Sequence, residues 1–154
     1  MSVEVGDLAP DFTLRDQNNQ EISLSRFRGE KSVLLVFYPL AFTKVCSGEL
    51  RALRDDLPSF ASDAVQLLTV SVDSVFSHKV WAQQEEFDFP LLADFWPHGS
   101  VAQTYGVLDQ LKGVALRGTF LIDTEGVVRY KVVNDIPDAR DQDGYAKAVA
   151  ELVS

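Results

Sequence analysis

Cys46 is the single cysteine of this chain, and it stands where an apolar segment gives way to an amphipathic one. Residues 32–38 form a nearly unbroken run of apolar, β-branched and aromatic side chains, which predicts a strand buried on both faces of a sheet. Pro39 ends this strand because proline has no N–H group for a sheet hydrogen bond. After the cysteine, leucines recur at helical spacing with charges between them: Leu50, Leu53 and Leu57. The sulfur is therefore expected in the first turn of a helix.

This placement makes the thiol a candidate nucleophile. Unpaired N–H groups and the positive end of the helix dipole favour an anion, and thus the thiolate, at a helix start. Thr43 adds a hydroxyl three residues before Cys46, and Pro39 can screen the sulfur from water. A lone cysteine is more often a small buried hydrophobe, but this loop follows a predicted central strand, at the edge where open α/β sheets bind ligands. The sequence therefore favours a reactive thiol over inert packing.

Strands and helices alternate along the rest of the chain. The first half predicts a hairpin over 12–14 and 21–24, the strand 32–38 and a helix from Cys46. Pro58 is expected to kink or break this helix before a second segment near 59–62. A strand 65–73 and a helix 74–87 follow, and the helix carries Val80 and Trp81 on its apolar side. The second half predicts a short strand 91–93, a helix 100–105, a hairpin over 119–123 and 127–133, and a helix 144–153 capped by Asp143 or Asp141. These elements predict an α/β fold, a thioredoxin-like three-layer sandwich with a central mixed sheet flanked by helices and an amino-terminal hairpin.

Length and composition fit one domain over residues 1–154. The chain has 154 residues, of which 46% are hydrophobic, enough for one core with a sheet covered on both faces. Its amino terminus reaches Glu4 without a basic segment followed by an apolar core, so no signal peptide is expected. The longest apolar runs have the length of strands, so no membrane span is expected.

Charge and cysteine content indicate the compartment and the partners. The 14 basic and 23 acidic side chains give a net charge of −9, which disfavours nucleic acid and anionic membrane surfaces as partners. One cysteine cannot form an internal disulfide, which fits a reducing cytoplasm. His78 and His98 are far apart and no third ligand at metal spacing accompanies them, so neither a metal nor another cofactor is expected.

Three segments resemble one known family. Pro39, Thr43 and Cys46 match the loop Pro-x-x-x-Thr/Ser-x-x-Cys of the peroxiredoxins. Residues 6–14 resemble the amino-terminal signature of that family, and residues 117–123 resemble the strand that carries its active-site arginine. The matches are separated and occur in the expected order, so the chain is identified as similar to a peroxiredoxin over nearly its whole length.

Within this family the chain most resembles the small one-cysteine group called alkyl hydroperoxide reductase E in actinobacteria. Residues 38–43 and 94–99 carry this closer resemblance. It implies a thiol-dependent peroxidase that reduces organic or lipid hydroperoxides, hydrogen peroxide and peroxynitrite through a sulfenic acid on Cys46.

The resemblance also implies roles for the residues around the thiol. Arg117 and Thr43 are expected to stabilise the charge that moves during peroxide reduction, and Pro39 to keep water away. The backbone near Val45 is expected to donate N–H groups to the peroxide oxygens. The approach to the sulfur is expected to be apolar, because hydrophobic and aromatic side chains flank the loop or could close its far side: Leu40, Phe42, Val45, Phe95 and Trp96.

Two features allow more than one interpretation. Glu49 resembles a position that organises the active-site arginines of the family, but the helix dipole alone also favours an acidic residue in a first turn. Residues 95–97 could belong to the core, to a pocket wall or to a dimer interface. The family comparison slightly favours the interface, and with it a homodimer.

The oxidised cysteine must be reduced from outside the chain. Some peroxiredoxins place a second cysteine five residues after the first, where this chain has Arg51. A small thiol, a redoxin or another subunit's cysteine would then resolve the sulfenic acid. The resemblance to the actinobacterial group implies mycothiol together with a mycoredoxin.

A second hypothesis comes from a different class of function. The same scaffold could serve as a non-enzymatic thioredoxin-like interaction or chaperone module that uses an aromatic surface instead of turnover. Formation of a sulfenic acid at Cys46 with stoichiometric peroxide distinguishes the two hypotheses.

Overall fold

The computed structural model describes residues 2–137 and 142–153. The strands are β1 (Thr13–Arg15), β2 (Glu21–Ser23), β3 (Ser32–Phe37), β4 (Val65–Ser71), β5 (Leu91–Ala93), β6 (Leu108–Asp109), β7 (Val114–Ala115), β8 (Arg117–Ile122) and β9 (Val128–Asn134). The α-helices are α1 (Lys44–Asp55), α2 (Val75–Glu85), α3 (Ser100–Thr104) and α4 (Gln142–Val153). Single 3-10 turns lie at Leu24–Phe27 and Leu57–Ser59.

Seven strands form one mixed sheet in the order β2-β1-β5-β4-β3-β8-β9. β3 pairs with β4 and β4 with β5 in parallel, whereas β8 runs antiparallel to both β3 and β9. All six residues of β3 are buried because neighbouring strands flank it and helices cover it, which explains its unbroken apolar run. The predicted α/β class, the mixed sheet and the amino-terminal hairpin of β1 and β2 are confirmed.

Two apolar clusters cover the two faces of the sheet. On one face α1, α2 and α4 pack together, and on the other α3 packs with the amino-terminal segment. In α1 the side chains of Leu50 and Leu53 are fully buried, and burial of a leucine contributes about 2 kcal/mol. This packing fixes α1, and with it Cys46, against the central strand β3.

Proline ends α1 as the sequence predicted. The helix stops at Asp55, and Pro58 lies in the 3-10 turn Leu57–Ser59 instead of continuing the apolar stripe. The predicted break is therefore confirmed, although the second segment begins earlier than the predicted residues 59–62.

The buried face of α2 differs from the prediction. Trp81 is buried as expected, but Val80 is 47% exposed, and the remaining buried side chains of α2 are His78 and Ala82. Residues separated by three and four positions share a helix face, whereas Val80 follows His78 by two positions and points elsewhere. The prediction that Val80 packs in the core is therefore wrong.

Three further details concern short elements and the last helix. The hairpin of β6 and β7 was not predicted, because two residues per strand are too few to show a period. Asp143 lies inside α4, which begins at Gln142, and is therefore not its cap. The alternative cap, Asp141, lies outside the described residues. No described helix is long and apolar enough to cross a membrane.

His78 is a fully buried polar residue in the core between α2 and the sheet. Its ring lies 6.4 Å from the ring of Tyr38, and Trp81 packs on the same tyrosine. Burial lowers the pKa of His78 from 6.5 to about 4, and the nearby carboxylate of Asp73 opposes this shift only in part. His78 is therefore neutral in the folded protein near neutral pH, which makes it a structural histidine.

We expect His78 to make the stability of the protein depend on pH. Its pKa is 6.5 without the fold and about 4 within it, so between these values the unfolded chain binds a proton that the native state does not. The stability is therefore fully present above the unfolded pKa and is lost as the pH falls towards the folded pKa. The loss is about 2 kcal/mol between about pH 7 and about pH 5. Urea unfolding of wild type and His78→Asn at both pH values measures it.

The control is His98→Asn, which removes an exposed histidine and should keep the pH dependence of the wild type. If His78→Asn loses as much stability as the wild type between the two pH values, the buried neutral histidine is not the cause.

Candidate active site

The loop between β3 and α1 places Cys46 at a helix start, as predicted. The strand ends at Phe37, the helix begins at Lys44, and Cys46 is the third residue of the helix. The first helical hydrogen bond runs from the N–H of Ser47 to the carbonyl of Thr43, at 2.8 Å, and the Thr43 side chain does not cap the helix. The N–H groups that precede this bond have no acceptor within the helix. They can therefore bind a ligand at the start of the helix.

Arg117 brings a positive charge to the sulfur. It is the first residue of β8, which pairs with β3, and its Nη1 donates a hydrogen bond to Cys46 Sγ at 3.3 Å. The same nitrogen donates to Glu49 Oε1 at 2.5 Å, and Nε donates to the carbonyl of Ile136 at 2.6 Å. Three elements, α1, β8 and the segment after β9, therefore meet at one guanidinium.

Cys46, Glu49 and Arg117 are all buried, with exposures of 0%, 5% and 3%. Glu49 follows Cys46 by three residues, so both side chains lie on one face of α1. Of the two interpretations of Glu49, contact with the arginine is the one present in the structure. A guanidinium has five N–H donors, and these contacts use three of them. Among residues 2–137 and 142–153, these hydrogen bonds leave the two donors of Nη2 available to a ligand beside the sulfur.

The polar groups of the loop have defined donor and acceptor roles. The Thr43 hydroxyl donates to the carbonyl of Leu40 at 2.8 Å. Because its hydrogen is used in this way, the oxygen offers lone pairs and can accept a hydrogen bond from a ligand.

Burial raises the pKa of Tyr38, which precedes the loop, and nearby Asp73 and Cys46 act in the same direction. Tyr38 is therefore neutral near neutral pH.

An open cavity of about 420 Å³ lies in front of this loop. Apolar side chains form most of its wall, and the polar lining residues are one hydroxyl and three cations. The lining consists of Pro39, Leu40, Thr43, Lys44, Val45, Lys112, Val114, Arg117, Ile136 and Pro137. Cys46 is fully buried and is not part of this lining, but Arg117, which lines the cavity, contacts its sulfur.

Several of the residues expected near the substrate lie at this cavity. Pro39, Leu40 and Val45 line it, and Glu49 lies behind it as the partner of Arg117. The expected apolar character of the approach agrees with this lining.

Phe42, Phe95 and Trp96, which were expected along the approach, are not among the residues that line this cavity. The Phe42 ring packs against Trp81 at 5.8 Å instead of facing the cavity. Phe95 and Trp96 line a second cavity of about 460 Å³, and Trp96 is 82% exposed. The strand order explains the separation, because these residues follow β5, and β4 lies between β5 and β3.

The sequence did not indicate half of the cavity wall. Lys44 was adjacent to the recognised loop, but Lys112 and Val114 belong to the β6–β7 hairpin, and Ile136 and Pro137 follow β9. The turn signal at Gly113, which has a φ of 70°, marks the hairpin. No local pattern could show that its tip reaches this cavity. Among residues 2–137 and 142–153, no three His, Cys, Asp or Glu side chains form a group that could hold a metal ion.

Fold and site together define a class of protein. A mixed sheet between helix layers holds one cysteine at a helix start beside a buried arginine, which is a thioredoxin-like protein with a thiol site. The AhpC/TSA family model matches residues 5–131. The chain belongs to this family, that of the peroxiredoxins, and with a single cysteine it is a one-cysteine member.

Individual relatives agree with this assignment. The chain is 51% identical over 152 residues to alkyl hydroperoxide reductase E of Mycobacterium tuberculosis, covering 99% of each chain. It is 42% identical over 152 residues to peroxiredoxin-2 of Mus musculus, covering 92% of this chain and 75% of the relative. The predicted resemblance is therefore confirmed.

Solved structures support the fold. Peroxidoxin BcpB from Mycobacterium tuberculosis is 33% identical with a TM-score of 0.83, covering 98% of this chain and 97% of that one. The reduced 2-Cys peroxiredoxin of Plasmodium vivax is 35% identical with a TM-score of 0.85, covering 95% of this chain and 80% of that one. The predicted thioredoxin-like fold is therefore confirmed.

Substitution of Arg117 should separate its charge from its geometry. Lysine keeps the charge but loses the planar fork that contacts the sulfur and Glu49 together. Arg117→Lys should therefore lower the rate of Cys46 oxidation by peroxide by about tenfold, and Arg117→Ala by about 100-fold. Stopped-flow fluorescence measures the rates, and circular dichroism verifies the fold.

Arg129→Ala is the matched control, because Arg129 is half-exposed on β9 and pairs with Asp123 away from the cavity. It should react at the rate of the wild type. Unchanged rates in both Arg117 variants would remove this residue from the reaction.

Proposed function

We propose that this chain is a thiol-dependent peroxidase that reduces hydroperoxides with Cys46 as its nucleophile. The observation that carries the proposal is the contact of 3.3 Å between Arg117 Nη1 and Cys46 Sγ at the start of α1. The family membership of the chain supports the same activity.

In the proposed first step the Cys46 thiolate attacks the terminal oxygen of a hydroperoxide. An S–O bond forms and the O–O bond breaks, and the departing oxygen takes the proton of the hydroperoxide and leaves as an alcohol or as water. The cysteine is oxidised to the sulfenic acid level, and the peroxide is reduced.

The surrounding groups act where charge moves in this step. The Nη2 donors of Arg117 and the N–H groups of Val45 and Cys46 stabilise negative charge as it leaves the sulfur. The Thr43 oxygen accepts a hydrogen bond from the O–H group of the hydroperoxide, since the Thr43 hydroxyl hydrogen is donated to the carbonyl of Leu40. Pro39 forms the part of the wall that keeps water from the sulfur.

The second step requires a thiol from outside. A low-molecular-weight thiol attacks the sulfenic acid, a water molecule leaves, and a mixed disulfide on Cys46 forms. A further thiol then attacks the mixed disulfide and releases the Cys46 thiol, while the two outside thiols become a disulfide. We propose mycothiol and a mycoredoxin as these thiols, supported by the likeness to a mycobacterial relative, and a cytoplasmic location, where thiols stay reduced.

We further propose that organic hydroperoxides are better substrates than hydrogen peroxide. Apolar residues line most of the cavity of about 420 Å³ in front of Cys46. A hydrocarbon tail that leaves water gains about 25 cal/mol per Å² of buried apolar area. Hydrogen peroxide has no such tail.

We also propose that the protein forms a homodimer. Phe76 of α2 and Phe95 and Trp96 after β5 are exposed and line one cavity, and Phe42 in the loop after β3 is also exposed. Contiguous exposed apolar surface marks interaction sites. The same surface is the observation that favours the alternative function, a thioredoxin-like interaction or chaperone module without turnover.

Peroxide and thiol treatment distinguishes the peroxidase from the interaction module. One equivalent of peroxide should add one oxygen atom to the wild-type mass, and a small thiol should then convert this species to a mixed disulfide on Cys46. Cys46→Ser should show neither change, and a redoxin should release the thiol. Intact-mass spectrometry follows each species. An unmodified wild-type mass after peroxide would contradict the peroxidase function, and turnover without added thiol would contradict the external reductant.

Substrate preference tests the cavity. The rate constant for a fatty-acid hydroperoxide should exceed that for hydrogen peroxide. Val114→Thr replaces one methyl group with a hydroxyl and should lower this ratio by about fourfold. Val133→Thr makes the same change on an exposed site of β9, where Val133 is 40% exposed, and should keep the ratio.

The variant Trp96→Ala distinguishes the residues that set substrate preference from those that form the dimer. It should weaken the dimer in sedimentation experiments and leave the substrate ratio unchanged, because Trp96 lies at the second cavity. Equal wild-type rates for the two substrates would overturn the substrate proposal, and a wild-type monomer would overturn the dimer.

A further inference from the structure

A hydrogen-bonded series of buried and partly buried polar side chains, here called the polar chain, reaches the loop before α1 from the β4 side of β3. Asp73, which follows β4, accepts the N–H of Ala41 on Oδ2 at 2.8 Å and the Ser71 hydroxyl on the same oxygen at 2.6 Å. Ser71 Oγ lies 2.7 Å from Nε2 of His78, and the hydroxyl of Tyr38 lies 3.2 Å from this nitrogen. None of these side chains has a place in the peroxide chemistry described above.

The hydrogen-bond donors in the polar chain can be assigned from the chemistry of its side chains. A carboxylate only accepts hydrogen bonds, so the Ser71 hydroxyl donates to Asp73. Its oxygen must then accept from His78, which places the imidazole hydrogen on Nε2. Burial keeps His78 neutral, because its pKa is lowered to about 4. His78 therefore orients Ser71, and Ser71 orients the carboxylate of Asp73 toward Ala41.

The loop that Asp73 holds has an unfavourable backbone conformation. Phe42 has a φ of 68°, in the left-handed region that side chains other than glycine rarely adopt. Besides the hydrogen bond from Thr43 to Leu40 within the loop, two contacts with neighbouring elements hold it: the hydrogen bond from Ala41 to Asp73 and the packing of Phe42 on Trp81. Asp73 lies in the turn between β4 and α2, and Trp81 lies on α2. A backbone of this kind persists only where its surroundings determine it.

We propose that Asp73 is a positioning residue for the proposed peroxidase reaction. Its carboxylate, held by Ser71 and His78, fixes Ala41 and the left-handed turn at Phe42. The fixed turn sets where the Thr43 oxygen and the first N–H groups of α1 stand relative to the sulfur of Cys46. Asp73 acts through the loop and does not touch the substrate.

Two reactions of the same thiol test this proposal. Peroxide reduction needs the sulfur, the Thr43 oxygen and the N–H groups in one arrangement, whereas alkylation by iodoacetamide needs only the thiolate. Asp73→Ala should lower the second-order rate with hydrogen peroxide by about 10-fold to 100-fold, since small misplacement of reacting groups has effects of this size. The alkylation rate should change by less than about threefold, because the thiolate remains.

Conservative and control variants sharpen the comparison. Asp73→Asn keeps an oxygen at the carboxylate position and should recover most of the peroxide rate. Ser71→Ala removes only the hydrogen bond that orients Asp73 and should give an intermediate rate, and it decides the question if Asp73→Ala does not fold by circular dichroism. Asp88→Asn removes an exposed carboxylate between α2 and β5 and should match the wild type.

The outcomes separate this proposal from the function on which it rests. Slow oxidation of the wild type would mean that the proposed peroxidase function fails. Fast oxidation of the wild type with equal peroxide rates in folded Asp73 and Ser71 variants would overturn the positioning role alone. Parallel changes in the peroxide and alkylation rates would also overturn it, because they would show an effect on the thiol itself and not on the loop.

Discussion

The guanidinium of Arg117 is the constraint on which the arrangement of the site depends. A buried charge is stable only when opposite charges and hydrogen-bond acceptors surround it. Here the acceptors are Glu49 on α1, the sulfur of Cys46 and the carbonyl of Ile136 after β9. Because they come from separate parts of the chain, the arginine is satisfied only when α1 is packed on β3 and the strands β3, β8 and β9 are joined. The site is therefore complete only when these elements have assembled.

The strand order also divides the molecule into two functional regions. On the β8 side of β3, the arginine, the apolar cavity and the first turn of α1 face one another. On the β4 side, the polar chain that ends at Asp73 and the exposed aromatic surface lie together. The loop after β3 contacts both regions. A single loop can thus be held from one side while it presents its polar atoms to the other.

Local patterns predicted most of the elements and the centre of the site. Cys46 at a helix start, the break at Pro58 and the paired strands follow from periodicity and from the backbone limits of proline, which act within a few residues. Contacts between distant segments do not leave such a trace. Lys112 and Ile136 reach the cavity because β6–β7 and the end of β9 fold over it, and Trp96 misses it because of the strand order. The recognised motif supplied Arg117, which periodicity alone would not have connected with Cys46.

Two of the places where local rules fail, Phe42 and His78, lie in or support the loop before the cysteine, and this is informative. Phe42 adopts a left-handed backbone that costs about 1–2 kcal/mol for a side chain with a Cβ, and His78 occupies a fully buried position on α2 that an apolar residue would fill without hydrogen bonds. Both departures belong to one structural unit, since His78 orients Ser71, Ser71 orients Asp73, and Asp73 holds the turn at Phe42. Strain that is kept by buried polar contacts is expected where a precise backbone has a function. The polar interior of α2 is therefore best understood as part of the support for the thiol loop, although it lies on the side of β3 away from the arginine.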